Sequence, residues 1–304
     1  MNQAPQQPTT RARIDLFNTG YCLGENRIVH PDGPRGKVAF HAVCALVRPP
    51  AGVSSNGGLI LFDTGYSTRF NQVTERFPYR LHRWATPVHC GPGQSVAEQL
   101  RTCGIDPDSI RHVVISHFHA DHIAGLRDFA NAELWCSAEA FAEFRRLGPL
   151  RGTMKGYLGP LAPDDLAHRV RHPEVHLPAG RAGRLGSFEA WDWMPGLRFV
   201  SLPGHARGQI GLQVQNCERG EALLVADGAW SRRAIRERVR PSRLVSLFVD
   251  DYKQLVHTLD GLHDLQFTHP ELVMIPTHGS DVAEEIEARK SGSTQPEPTL
   301  QVSA

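Results

Sequence analysis

The sequence predicts an α/β layered sandwich in one domain, and three observations carry that expectation. Short apolar, β-branched runs of strand length alternate with capped helical segments in two comparable halves. The chain has 304 residues, 40% of them hydrophobic, enough for a sizeable core. Four of the strand-like runs end in a histidine or aspartate flanked by small residues, so both halves share one design.

Taken in order, residues 1–12 read as a disordered tail, and Met1 to Thr10 lacks the apolar core of a signal peptide. Arg13 to Phe17 reads as an edge strand, after which Tyr21-Cys22-Leu23-Gly24 enters a Pro/Gly-rich loop running to Gly36. Lys37 to Arg48 is a strand, and Pro49 to Gly58 has turn chemistry. Gly58 to Asp63 is a buried strand ending in Asp63-Thr64-Gly65. Residues 66–94 form a long loop with some helix, and Ser95-x-x-Glu98 is a capping box opening a helix that Gly104 closes. Arg111 to Ser116 is a strand, Ile123 to Phe129 has helical spacing, and Ala132 to Cys136 is a short strand. Ser137 caps a helix through Leu147, ended by Gly148.

Residues 149–186 hold many prolines and glycines with little periodicity and read as an insertion or cap. Strands follow at Phe188 to Trp193, Arg198 to Leu202, Ile210 to Gln215 and Glu221 to Ala226. Asp250 to Leu259 is a helix, Leu272 to Ile275 a last strand and Asp281 to Lys290 a last helix, so the domain spans 13–290. Residues 291–304 read as a second disordered tail.

Charge and cysteine usage narrow the function classes. Net charge is +1, from 33 basic and 32 acidic residues, and gives no general reason to expect nucleic acid or an acidic membrane surface as partner. No stretch approaches ~18 consecutive apolar residues, so no membrane span is expected. The six cysteines are scattered without a C-x-x-C pair, which suits a reduced, cytoplasmic chain.

The chemistry concentrates in Ser116-His117-Phe118-His119-Ala120-Asp121-His122. Imidazole and carboxylate together suit divalent metals such as zinc. No single backbone conformation turns all four ligand side chains onto one ion, so the stretch reads as part of a dinuclear site. Three further strands have the same design. Phe199 to Leu202 leads to Pro203-Gly204-His205, Leu223 to Ala226 leads to Asp227, and Leu272 to Ile275 leads to Pro276-Thr277-His278.

H-x-H-x-D-H, then G-H, then a strand-end Asp and a strand-end His, preceded by Asp63-Thr64-Gly65, resembles the metallo-β-lactamase superfamily over roughly residues 37–285. The resemblance implies a four-layer αββα sandwich. It implies His117, His119 and His205 on one metal, Asp121, His122 and His278 on the second, and Asp227 bridging. Two divalent ions, Zn2+ first, would generate a bridging hydroxide that opens an ester-type bond in a small molecule, with Asp121 as proton carrier. Asp63 would orient a ligand histidine through its free N–H.

Within the superfamily the layout most resembles the acyl-homoserine lactonase branch, which makes a lactone the expected substrate. That branch commonly carries a tyrosine where this chain has Trp230, three residues after Asp227. The indole N–H of Trp230 can donate one hydrogen bond but cannot mimic a phenol acid. The competing reading is a thioesterase of the glyoxalase II kind. A β-lactamase, a nuclease and a mononuclear iron persulfide dioxygenase stand further off.

Other features read as bland. His41, His112 and His257 lie in apolar or helical runs, and His168, His172 and His176 lie in the expected cap, where a surface loop is the simpler reading. Trp191 and Trp193 read as core or cap packing. Arg232, Arg233, Arg236, Arg238, Arg240 and Arg243 form a run read first as a solvated helix face, with an anion site for a carboxylate or phosphate on the substrate as the alternative.

Overall fold

The computed structural model describes residues 11–50 and 58–291. Among the described residues, thirteen strands form two mixed sheets. The first contains β1 (Arg13–Glu25), β2 (Lys37–Arg48), β3 (Leu59–Phe62), β4 (Val88–His89), β5 (Ile110–Val114), β6 (Glu133–Trp135) and β7 (Val170–Arg171), in the order β4-β1-β2-β3-β5-β6-β7. The second contains β8 (Ala182–Leu185), β9 (Phe188–Met194), β10 (Leu197–Ser201), β11 (Ile210–Cys217), β12 (Gly220–Ala226) and β13 (Leu272–Pro276), in the order β13-β12-β11-β10-β9-β8.

Strand alternation builds the layers. Successive side chains of a strand point to opposite faces, so each apolar run feeds two cores. On β2, Ala42, Cys44 and Leu46 face the helices while Val43, Ala45 and Val47 face the second sheet. On β12, Leu224 and Ala226 face the first sheet while Leu223 and Val225 meet Leu259, Leu262 and Leu265 of helix Tyr252–Thr268. The result is the expected αββα order. Between the sheets, Phe199 stacks on Trp193 at 4.7 Å and on Trp135 at 5.5 Å. Trp193 is therefore core, and Trp191 packs against the same cluster half-buried.

Several expectations shift, each for a local reason. Ala12, placed in the tail, is buried and bridges Cys217, and Arg11 is likewise described; residues 1–10 and 292–304 lie outside the described residues, as does most of the 49–58 turn. The first strand does not stop at Phe17. It continues through the supposed loop Tyr21–Gly24, past an irregularity between Asn18 and Tyr21. Gly20 there has φ 121, and a Cβ on it would lie 2.3 Å from the His89 carbonyl. Gly20 thus lies at the irregularity in the pairing with β2, where the backbone closes on β4.

The expected helix over Ile123 to Phe129 is instead one turn, Ala120–Ile123, and a 3-10 turn, Leu126–Asp128. Gly125 separates them, and a Cβ there would lie 2.7 Å from the Thr64 carbonyl. The capping box at Ser95 forms as read. The helix capped by Ser137 is Ala138–Arg146, with Gly148 serving as N-cap of the next helix, Pro149–Met154. Helix Tyr252–Thr268 runs past Leu259 because Gly261 lets it lie against Phe188, whose ring would meet a Cβ at 2.8 Å. Residues 149–186, read as a cap, supply β7 to one sheet and β8 to the other.

Candidate metal centre

Each candidate ligand sits where a strand has just ended. β5 delivers the chain to Ile115 and Ser116, His117 and His119 lie in the connection that follows, and Asp121 and His122 lie in the helical turn Ala120–Ile123. Ala226, the last residue of β12, has φ 47, and this left-handed step turns Asp227 off the sheet. His205 follows Gly204, whose φ is 120 and whose Cβ would fall 2.0 Å from the Leu255 nitrogen. Only glycine lets the chain pass helix Tyr252–Thr268 there. His278 follows β13 after Thr277.

The structure brings all seven side chains together. His119 Nδ1 lies 3.0 Å from His205 Nε2, and the rings of His117 and His205 are 4.9 Å apart. Asp227 Oδ2 is 3.1 Å from His205 Nε2 and 3.0 Å from His278 Nε2, and its Oδ1 is 3.4 Å from His122 Nε2. Asp121 Oδ2 is 3.5 Å from His278 Nε2 and 3.7 Å from His122 Nε2. Ligand atoms of His117, His119 and His205 converge as one trio, those of Asp121, His122 and His278 as another, and Asp227 sits between them. His117, His122 and Asp227 also converge.

The donors fit divalent cations. His117 Nε2, His122 Nε2 and Asp227 Oδ1 are buried and have no hydrogen-bond partner within the protein. Buried polar atoms are ordinarily satisfied, and cations between the trios would satisfy all three. Imidazole and carboxylate are the right donor set for zinc or a similar ion. The ring nitrogens turned away from the centre are held. His122 Nδ1 is 2.7 Å from Asp63 Oδ2, His117 Nδ1 is 3.0 Å from Ser116 Oγ, and His278 Nδ1 donates to the His41 carbonyl. Asp63 also accepts from the Ser116 backbone N–H at 2.8 Å and the Ser116 hydroxyl at 2.7 Å.

Electrostatics separates the two trios. Burial, then the neighbouring imidazoles, pushes His117 and His119 well below the ordinary histidine range, and burial takes His205 down to about 4 although Asp227 opposes it. These rings are neutral, as a ligand must be. For His122 and His278 burial also disfavours the charge, but it is outweighed by Asp63, Asp121 and Asp227 around His122 and by Asp227 and Asp121 beside His278, so both are raised. Asp227 is held well below the carboxylate range because His278, His205 and His122 overcome the burial penalty.

A profile of the metallo-beta-lactamase superfamily matches residues 39–191. The chain belongs to the metallo-beta-lactamase superfamily. It is 26% identical over 237 residues to a protein of Mycobacterium tuberculosis named "Probable metallo-hydrolase", covering 76% of this chain and 74% of that one. It is 25% identical over 232 residues to N-acyl homoserine lactonase AiiB of Agrobacterium fabrum, covering 67% of this chain and 80% of the relative. The fold is also that of an N-acyl homoserine lactone hydrolase solved with N-hexanoyl-L-homoserine at its catalytic metal centre, with TM-score 0.67, 15% identity and coverage of 96% and 99% of the two chains. The protein is a metallo-hydrolase of this superfamily, with clustered histidines and aspartates able to bind metal.

As in any superfamily hydrolase, the surroundings of the metal cluster decide what reaches it. Asp121, Asp227, His119, His205 and His278 form part of the wall of a cavity of about 440 Å³, whose remaining wall is mostly apolar and includes Ile28, Phe40, Leu81, Val245 and Phe248. Trp230 lies on this wall, its ring 5.7 Å from that of His205 and perpendicular to it. None of the six arginines of 232–243 lines the cavity. Arg232 pairs with Glu285 and Asp281, Arg233 with Asp32 and Glu237, and Arg238 and Arg240 with Asp260. From the expected cap, Thr153 to Gly156 reach the cavity, while His168, His172 and His176 do not line it.

Sequence reasoning missed Tyr66, Cys22, His82 and Lys155, all on the cavity wall. Tyr66 had a signal, since it directly follows Asp63-Thr64-Gly65. The others lie in segments whose local pattern carries no chemistry.

Proposed function

We propose that this protein is a dinuclear-metal lactonase that hydrolyses the ester-type bond of a small acyl lactone, of the N-acyl-homoserine kind, with two zinc ions. The observation that carries the reading is the juxtaposition of the seven-ligand cluster with a mostly apolar cavity large enough for a small acylated molecule. The similarity to AiiB and to a lactone hydrolase with an acyl-homoserine product at its metal centre supports the choice of lactone. Arg232, Arg233, Arg238 and Arg240 pair with acidic residues and no arginine of the run lines the cavity, which favours a lactone over the charged carrier of a thioesterase.

His117, His119 and His205 would hold one ion, Asp121, His122 and His278 the other, and Asp227 would span both. When bound, the ions supply an activated water at neutral pH and Lewis acidity toward an acyl oxygen. Asp121, open to the cavity, accepts the proton released as water adds to the acyl carbon and returns it to the leaving oxygen. Trp230 closes the wall beside His205, where its indole N–H is a single hydrogen-bond donor.

A hydrolysis panel of N-hexanoyl-L-homoserine lactone, a thioester, a β-lactam and a phosphodiester, with and without chelator, tests the reading. Chelator-sensitive lactone opening above the other classes is expected. Chelator-sensitive turnover of the thioester alone would transfer the protein to the competing class.

A further inference from the structure

Trp230 offers the cavity no hydroxyl, yet a phenol stands on another part of the same wall. Tyr66 lines the cavity together with Asp121 and Asp227. It is one of the largest fully buried side chains in the molecule, at 2% exposure, so its contact with the outside runs through the cavity.

Its position is fixed relative to the ligands. Thr64 donates from its backbone N–H and its hydroxyl to the His122 carbonyl at 2.8 and 2.9 Å, and the Ser67 hydroxyl donates to the Ala124 carbonyl at 2.6 Å. The turn carrying Tyr66 is thus stitched to the turn carrying Asp121 and His122. Behind it, the Tyr66 backbone N–H donates to Thr19 Oγ1 at 2.9 Å, and Gly65 has φ 61 with no room for a Cβ against that same oxygen. The ring rests edge-on against Phe70 at 5.4 Å.

The Cys22 thiol lies beside the Tyr66 hydroxyl on the cavity wall. Sulfur is a weak acceptor, so a substrate oxygen can replace it as the partner of this O–H at little cost. Thr153, another hydroxyl of the wall, is already committed to the Pro149 carbonyl at 2.7 Å.

We propose that the Tyr66 hydroxyl leaves Cys22 and donates a hydrogen bond to the acyl group of the substrate beside the metal ligands, acting as a catalytic residue. The proton stays on Tyr66; the contribution is a preorganised dipole aimed at an oxygen that gains charge in the transition state. This rests on the hydrolase reading above, and it assigns to Tyr66 a phenolic function that Trp230 cannot supply.

The test compares wild type with Tyr66→Phe, which keeps the ring and its packing. kcat and KM are measured with N-hexanoyl-L-homoserine lactone, affinity for the ring-opened N-hexanoyl-L-homoserine by calorimetry, and metal content and melting temperature on the same preparations. The expected result is a fall in kcat on the order of 10²-fold, KM within about threefold, product affinity weakened about fivefold, and metal content unchanged. Wild-type kcat and product affinity in the variant would overturn the proposal. So would a loss of activity that merely follows a loss of metal. If wild type leaves the lactone intact, the lactone reading fails, and the same kcat comparison on whichever ester or thioester is turned over decides the role of Tyr66.

Discussion

Asp63 Oδ2 lies 2.7 Å from His122 Nδ1, and both side chains are buried. The carboxylate is fixed by two donors from Ser116, so one side chain sets both the tail of β5 and a ring of the second trio. Asp63 itself has φ 58, a left-handed conformation that asparagine tolerates well. Asp63→Asn therefore keeps the backbone but removes the charge and one acceptor. Metal affinity is expected to fall about 10- to 100-fold with the fold intact, read by chelator competition and circular dichroism. Unchanged affinity would remove Asp63 from its orienting role.

Asp227 stands between the trios, so its loss uncouples them. Asp227→Ala is expected to abolish hydrolysis and to lower bound metal from close to two ions per chain. Elemental analysis and the hydrolysis panel check both. Turnover like that of wild type in this variant would rule out the bridging role.

Protons should compete unequally at the two trios. His117, His119 and His205 are lowered, His205 to about 4, so acid reaches them late. His122 and His278 are raised, so they take up protons at higher pH than an ordinary histidine. A ligand must be deprotonated to bind. As pH is stepped down from roughly 8 to 5, across the ordinary histidine range, the ion at Asp121, His122 and His278 should leave first. Metal content after dialysis at each step would then pass through a plateau near one ion per chain. Simultaneous loss of both ions would contradict the assignment.

Phe199 is fully buried between the sheets and stacks on Trp193 and Trp135. Phe199→Ala leaves a void that rigid neighbouring rings cannot fill, and should cost ~3–5 kcal/mol of stability. Urea unfolding measures it. A loss below about 1 kcal/mol would mean that the two sheets close over the gap.

The sequence by itself determined the frame and the candidate ligands. Strand alternation is a local property, so β2, β3, β12 and β13 and the two-sided cores they feed could be read from apolar runs alone. The candidate ligands could be read for the same reason: His117, His119, Asp121, His122, His205, Asp227 and His278 each follow an apolar run within a few residues. Tertiary structure decided what surrounds them. Gly20 and Gly125 look like breaks in sequence, but each marks a close approach to a distant carbonyl, His89 or Thr64, and so a bulge and a shortened helix. The arginine run could not be assigned until Asp32, Asp260, Asp264 and Glu285 were brought to it from elsewhere in the chain. Tyr66 and Cys22 are more than forty residues apart and share a cavity wall only once the first sheet has formed. Ligands at strand ends are encoded by short-range geometry, whereas the walls of a cavity exist only where remote segments meet.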